Sequence, residues 1–228
     1  MRALVTGAGS GIGAAIAHRL ADEGFDVTVA DLEPDATATD LGGNGIRLDV
    51  RDEIAVARAM EGVEVLVNAA GVGSTTDAPG TPLEVWNNVM EVNATGTFLC
   101  CKHAIPGMRE RGGGAIVNIA SVAGLIGLRN RVAYSASKGA VIALTRALAI
   151  DEVGNGIRVN AVAPGTVDTP WVQRLVEQSG ESLDALKARQ PMGRLGTAEE
   201  IADAVLYLVE AEFVTGTILT IDGGLTAQ

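Results

Sequence analysis

Arg2-Ala-Leu-Val-Thr6-Gly7-Ala-Gly-Ser-Gly11-Ile-Gly13 decides the fold. Arg2 to Thr6 is a short apolar strand, and the glycine-rich turn opens into an amphipathic stretch from Ala14 to Glu23, closed by Gly24. Strand, glycine turn and helix is the order that a dinucleotide-binding loop requires. Glycines let backbone approach a pyrophosphate, and the helix N-terminus offers unpaired N–H groups and positive dipole. Phe25-Asp-Val-Thr-Val-Ala30 is a second strand, ending at Asp31. A carboxylate there, roughly 20 residues past the loop, accepts from the adenosine ribose diol. It also repels a ribose 2′-phosphate, which favours NAD over NADP.

Tyr134-Ser-Ala-Ser-Lys138 carries the chemistry. Four residues apart on a helix, the two side chains project from one face. A free phenol has a pKa near ~10, and an adjacent ammonium favours the phenolate.

Thr6-Gly7-x-x-x-Gly11-Ile-Gly13, Asn68-x-Ala70-Gly71, Ser121, Tyr134-x-x-x-Lys138 and Pro164-Gly165 follow one another in this order. Together they resemble the classical short-chain dehydrogenase/reductase family, from Leu4 to about Gly224. The resemblance implies a single Rossmann-type domain over 1–228: a doubly wound, parallel, seven-stranded α/β sheet with helices on both faces. A substrate lid is expected at about 171–194.

Composition agrees. Abundant Ala, Val, Leu and Gly suit a buried parallel sheet. A formal net charge of −11 argues against a nucleic-acid or anionic-membrane surface. The chain has no run of eighteen apolar residues and enters its first strand almost at once. A cytoplasmic protein without signal peptide or membrane span is expected. Cys100 and Cys101, adjacent in an expected helix, are poorly placed to bridge each other and read as small core residues.

The alternation continues along the chain. Gly45 to Val50 is a third strand, Asp52 to Met60 a helix and Val63 to Val67 a fourth strand. Thr81-Pro-Leu-Glu84 reads as a capping box, opening a helical region through Met108 with Asn93 in its middle. Gly114 to Ala120 is a fifth strand that delivers Ser121, Tyr134 to Glu152 a helix, Ile157 to Ala163 a sixth strand and Thr217 to Ile221 a seventh. Leu32 to Asn44 is short and polar, so the helix usual there in the family is reduced or missing. Ligands of such a sheet bind at its C-terminal edge, where Asp31, Asn68, Ser121 and Pro164 fall.

Residue roles come from the resemblance. Tyr134 is the implied general acid/base; Lys138 lowers its pKa and holds the nicotinamide ribose. Ser121 donates to the substrate oxygen, and Asn93 anchors a water beside the lysine. Gly7, Ser10, Gly11, Ile12 and Gly13 form the implied pyrophosphate loop, and Asp31 with Leu32 the ribose end. Asp49 and Val50 flank the adenine, and Asn68, Ala69 and Gly71 underlie the adenosine ribose. Pro164, Gly165, Val167 and Thr169 grip the nicotinamide, with Thr169 equally suited to cap a helix at Pro170. No metal is implied.

Val122 to Ala133 and Trp171 to Arg194 are the expected pocket wall and lid. Asn130-Arg131-Val-Ala-Tyr134 and Arg189-Gln-Pro-Met-Gly-Arg194 look like a subgroup that includes type 2 hydroxybutyrate and 2-keto-3-deoxy-L-fuconate dehydrogenases, whose substrates carry a carboxylate. Arg131 is then a candidate clamp for that carboxylate and Arg189 a possible assistant; both also suit an ordinary surface. A neutral sugar or polyol dehydrogenase needs no such arginine. A 3-oxoacyl-carrier-protein reductase prefers NADP and a basic docking face, which Asp31 and the acidic balance oppose. An enoyl reductase has a different Tyr–Lys spacing, and a non-catalytic dinucleotide sensor has no use for Ser121, Tyr134 and Lys138 together. By analogy with the family, homo-tetramers or homo-dimers form through the helices at Leu83–Met108 and Tyr134–Glu152 and through the C-terminal strand. The sequence does not decide between these states.

Overall fold

The computed structural model describes residues 1–179 and 182–228. Its sheet runs β3-β2-β1-β4-β5-β6-β7, with every pair parallel. The strands are β1 (Arg2–Thr6), β2 (Asp26–Asp31), β3 (Gly45–Arg47), β4 (Val65–Asn68), β5 (Gly114–Ile119), β6 (Ile157–Pro164) and β7 (Ile218–Ile221). After β3 the chain returns past β1 to lay down β4 on its other side, so the order reverses between β1 and β4. That crevice is where such a sheet binds ligands.

Successive residues of each strand feed opposite layers, because side chains alternate across a sheet. Val5, Val67 and Val117 pack with Ile16 and Leu20 of α1 (Gly11–Asp22) and with Ile201, Val205 and Leu208 of α9 (Ala198–Glu210). Their neighbours Leu4, Leu66 and Ile116 pack on the other face against Val56 of α3 (Glu53–Ala59) and Leu99, Cys100 and Met108 of α5 (Thr97–Arg111). Both faces are buried, which is why the strands are apolar throughout.

Several expected elements differ in detail. β3 stops at Arg47 rather than Val50; Leu48 still donates to the Asp31 carbonyl at 2.8 Å before the chain turns away. Thr81 forms no capping box. Its hydroxyl donates to the Asp77 carbonyl at 2.6 Å, and α4 (Leu83–Met90) begins after Pro82 with no side-chain cap. The helical region behind it is interrupted: Glu91–Gly96 is a π-helical turn that joins α4 to α5. The reduced connection after β2 is a single six-residue helix, α2 (Asp35–Asp40). α6 (Val132–Glu152) starts two residues ahead of Tyr134. α9 went unread in the sequence, although Thr197 and Glu200 form the capping box that starts it. Among the described residues no helix is long and apolar enough to cross a membrane.

Candidate active site

The strand ends and helix starts converge on one cleft of about 530 Å³, within the roughly 300–1,000 Å³ usual for ligand sites. Its floor is the loop from β1 to α1. Gly7 adopts φ +68°, and a Cβ there would lie 2.6 Å from Ala70 Cα; a Cβ on Gly13 would lie 2.1 Å from the Gly7 carbonyl oxygen. Only glycine permits this packing of turn on helix and turn on β4 exit. Thr6 ties the same two exits together, its hydroxyl accepting from the Ala69 and Ala70 N–H groups at 3.2 Å each. Gly7, Ser10, Gly11, Ile12 and Gly13 all line the cleft. The first N–H groups of α1 have no partner within the helix, so they form an anion cradle. A Cβ on Gly11 would meet nothing nearer than Thr169 Cγ2, 3.6 Å away, so this edge of the cradle is open. These features fit the pyrophosphate of a dinucleotide.

Asp31 is locked onto the loop. Its carboxylate accepts from Gly9 N–H at 2.8 Å and from Glu33 N–H at 3.1 Å. Asp31, Leu32, Asp49 and Val50 line one end of the cleft, Ala69 and Gly71 its middle, and Pro164, Gly165, Val167 and Thr169 the opposite wall. Thr169 also caps α7 (Pro170–Ser179), accepting from Val172 N–H at 3.3 Å. Asn68 is elsewhere. Its side chain is turned into the sheet, where it donates to Asn118 Oδ1 at 2.9 Å, and it does not line the cleft.

Ser121 leaves the end of β5; its hydroxyl accepts from Ala123 N–H at 3.2 Å and neighbours the Tyr134 phenol. Lys138, buried at the same wall, donates from Nζ to the Ile119 carbonyl at 2.7 Å and lies 5.8 Å from the centre of the Tyr134 ring. Burial lowers its pKa from 10.5 to about 8. Burial raises that of Tyr134, and the neighbouring Ser121 hydroxyl and Arg131 charge only partly oppose it. Asn93 does not reach the cleft. Wholly buried in the π-turn, it donates to the Val72 carbonyl at 2.8 Å and to Ser137 Oγ at 2.9 Å, and accepts from Val72 N–H at 2.8 Å. The rare turn thus pins the segment after β4 to α6. A Cβ on Gly71 would lie 3.3 Å from Asn93 Oδ1 and 3.5 Å from Lys138 Nζ, so the two groups share one neighbourhood.

Beyond Tyr134 the cleft changes character. Trp171 stands with its ring centre 6.1 Å from that of Tyr134, beside Val122, Leu128 and Leu186 of α8 (Leu183–Ala188). Arg131, Arg174 and Arg189 also line the cleft, as do Arg51, Asp31 and Asp49, and the Arg131 charge acts on Tyr134. Arg131 Nη1 donates to the Ser74 carbonyl at 3.3 Å. Arg51, Asn88 and Arg174 escaped the sequence reading. The two arginines carry no motif, and Asn88 is 37 positions from the Arg51 it contacts.

A strand-edge cradle for a dinucleotide beside a Ser–Tyr–Lys group has known counterparts. A family model described as Enoyl-(Acyl carrier protein) reductase matches residues 7–226. The cis-4-hydroxycyclohexanecarboxylate dehydrogenase of Sinomonas cyclohexanicum is 43% identical, over 99% of this chain and 96% of its own. The 2-(R)-hydroxypropyl-CoM dehydrogenase of Xanthobacter autotrophicus (strain ATCC BAA-1158 / Py2) is 42% identical, over 99% of this chain and 98% of its own. Among solved structures, ElxO with NADP bound superposes with a TM-score of 0.92 at 32% identity, over 100% of this chain and 99% of that one. The chain belongs to the classical short-chain dehydrogenase/reductase family, the oxidoreductases of secondary alcohols.

Proposed function

We propose that this enzyme interconverts a small hydroxy acid or sugar acid and the corresponding ketone, with NAD as its preferred cofactor. The observation that carries this reading is Arg131, which lines the cleft and whose charge acts on Tyr134. In a chain of net charge −11, the arginines that line the cleft, Arg131 beside Tyr134 among them, suit an acidic substrate. The Sinomonas relative, a cis-4-hydroxycyclohexanecarboxylate dehydrogenase, supports an alcohol that bears a carboxylate.

NAD, held by the Gly7–Gly13 loop, Asp31 and the Pro164–Thr169 wall, would supply the hydride acceptor. The chain itself handles the proton. Ser121 donates a hydrogen bond to the substrate oxygen, and the Tyr134 phenolate oxygen removes its proton as hydride leaves the same carbon. In the reverse direction the Tyr134 hydroxyl returns that proton. Lys138 supplies a cationic wall from which to hold the nicotinamide ribose, and Asn93 fixes the segment against which Lys138 packs. Asp31 selects against a 2′-phosphate because its carboxylate is fixed at the ribose end.

Residues 171–194 form the lid over the acid-binding end; Gly180 and Glu181 of that stretch lie outside the described residues. The reading includes a cytoplasmic homo-tetramer or homo-dimer built through α4, α5, α6 and β7, as in the family. An Arg131→Ala variant tests the substrate end. We expect its KM for carboxylated substrates to rise about tenfold or more, the loss of a charge-assisted bond. An unchanged KM for every such substrate would remove Arg131 from the site.

A further inference from the structure

Gly73 and Trp171 are fitted to each other. A Cβ on Gly73 would lie 2.4 Å from Trp171 Cζ2, well inside the ~3.5 Å at which two carbon atoms make contact. The Gly73 backbone lies outside the left-handed region, so alanine suits its conformation, and the atoms that exclude a side chain there all belong to the indole. Both sides of this seat are held. Asn93 bonds the N–H and the carbonyl of Val72, and Arg131 Nη1 donates to the Ser74 carbonyl at 3.3 Å. The base of the indole is fixed as well: Thr169 accepts from Val172 N–H at 3.3 Å, and Val172 packs with Leu186 and Leu195. The ring's aromatic neighbour is Tyr134, 6.1 Å away between centres with 30° between planes. Trp171 lines the cleft, and Gly73 lies outside its wall.

We propose that Trp171 is the residue that limits substrate size beside Tyr134, selecting a compact carbon skeleton, and that Gly73 is the positioning residue that seats its ring. The inference rests on the alcohol–ketone reading of the cleft and deepens it by naming the size of the substrate. An indole is a rigid plate turned by only two torsions, so seating one edge fixes the whole ring. A substrate that brings its carbinol carbon to Tyr134 lays its skeleton next to this plate. The cleft of about 530 Å³ must also take a dinucleotide, which leaves the substrate little of it. A short skeleton packs its C–H groups on the ring face. A longer one must push the ring off its seat, and the Gly73 backbone behind it is pinned through Val72 and Ser74. The steric limit therefore belongs to the Gly73–Trp171 pair rather than to the tryptophan alone.

The test is kcat/KM, with NAD and with NADP, for two matched series: 3-hydroxy acids and 2-alkanols of four, six and eight carbons. It is run on the wild type, Trp171→Ala, Gly73→Ala and the double variant. We expect the wild type to favour four carbons over eight by about tenfold or more, the scale on which a tight pocket discriminates by methylenes. Trp171→Ala lowers that preference to about threefold or less, chiefly by raising the eight-carbon value. Gly73→Ala unseats the ring and shifts the preference by about threefold or more, yet in the Trp171→Ala background it shifts it by less than about twofold. A merely structural Gly73 would act alike with or without the indole. No size preference in the wild type, an unaltered preference in Trp171→Ala, or equal effects of Gly73→Ala in both backgrounds overturns the proposal. The expected ratios found only among the 2-alkanols overturn the acid reading and support the proposal. If the wild type turns over neither series, the reading of the cleft fails and the proposal falls with it.

Discussion

The Asp31 carboxylate accepts a hydrogen bond from the Gly9 N–H at 2.8 Å, so the end of β2 and the glycine loop form one rigid unit. A Cβ on Gly9 would lie 2.4 Å from the Glu33 carbonyl oxygen, which shows how closely the two segments meet. Asp31→Asn keeps one oxygen as acceptor and removes the charge. We expect kcat/KM with NADP to rise about tenfold, equivalent to ~1.4 kcal/mol, while that with NAD falls. Initial rates with both cofactors check this, and an unmoved NADP value would show that the charge does not select.

Tyr134→Phe removes the oxygen we propose as the proton carrier and leaves the aromatic contact with Trp171 in place. Turnover is expected to drop by about 10²–10⁴-fold, the usual worth of general acid–base catalysis. Because the phenol lies outside the glycine cradle, the NAD dissociation constant is expected to change by less than about threefold. A rate loss without loss of binding separates chemistry from assembly.

Lys138 provides a pH test. Its pKa falls from 10.5 to about 8 on folding, so between those values the unfolded chain binds more protons than the folded one. Stability contributed at this position therefore rises as pH climbs from about 8 to 10.5, and the cost of burying the charge is fully present below pH 8. Lys138→Met abolishes that dependence. The difference in unfolding free energy between wild type and variant, measured by denaturant titration, is expected to move by a few kcal/mol in favour of the wild type across that window. A pH-independent difference would mean that Lys138 folds with an ordinary pKa.

Gly13→Ala tests the loop. Its new Cβ would fall 2.1 Å from the Gly7 carbonyl oxygen, a backbone atom with no room to retreat. Overpacking of this kind costs about 1–3 kcal/mol, visible as a lowered Tm. A Gly24→Ala control, open to solvent but at φ +82°, reports the backbone component alone.

Much of this architecture was legible because the decisive features are local. Thr6 to Gly13 specifies strand, turn and helix within a dozen residues, and Tyr134 and Lys138 need only one helical turn to align. The sheet order follows once alternating strands and helices imply crossovers. What escaped depends on packing between distant segments. The π-turn around Asn93 is a register shift that binds the segment after β4 to α6, and nothing in Glu91–Gly96 announces it. Thr81 looked like a cap, yet the preceding turn offered its hydroxyl the Asp77 carbonyl instead. The α9 capping box, by contrast, was readable and was passed over. In the site, Asn68 satisfies a strand-end motif but faces Asn118 on the adjacent strand, a choice made by sheet pairing. Arg51 and Arg174 became visible only when the cleft brought β3, α4 and α7 together.

The central claim is NAD-dependent turnover of an acidic alcohol. The most direct measurement is the rate of reduced-nicotinamide formation with NAD and with NADP, across matched panels of hydroxy acids and neutral alcohols or sugars. We predict turnover with NAD on hydroxy acids, weaker with NADP, and little on neutral substrates of the same size. Turnover confined to neutral alcohols, or to NADP, would contradict it.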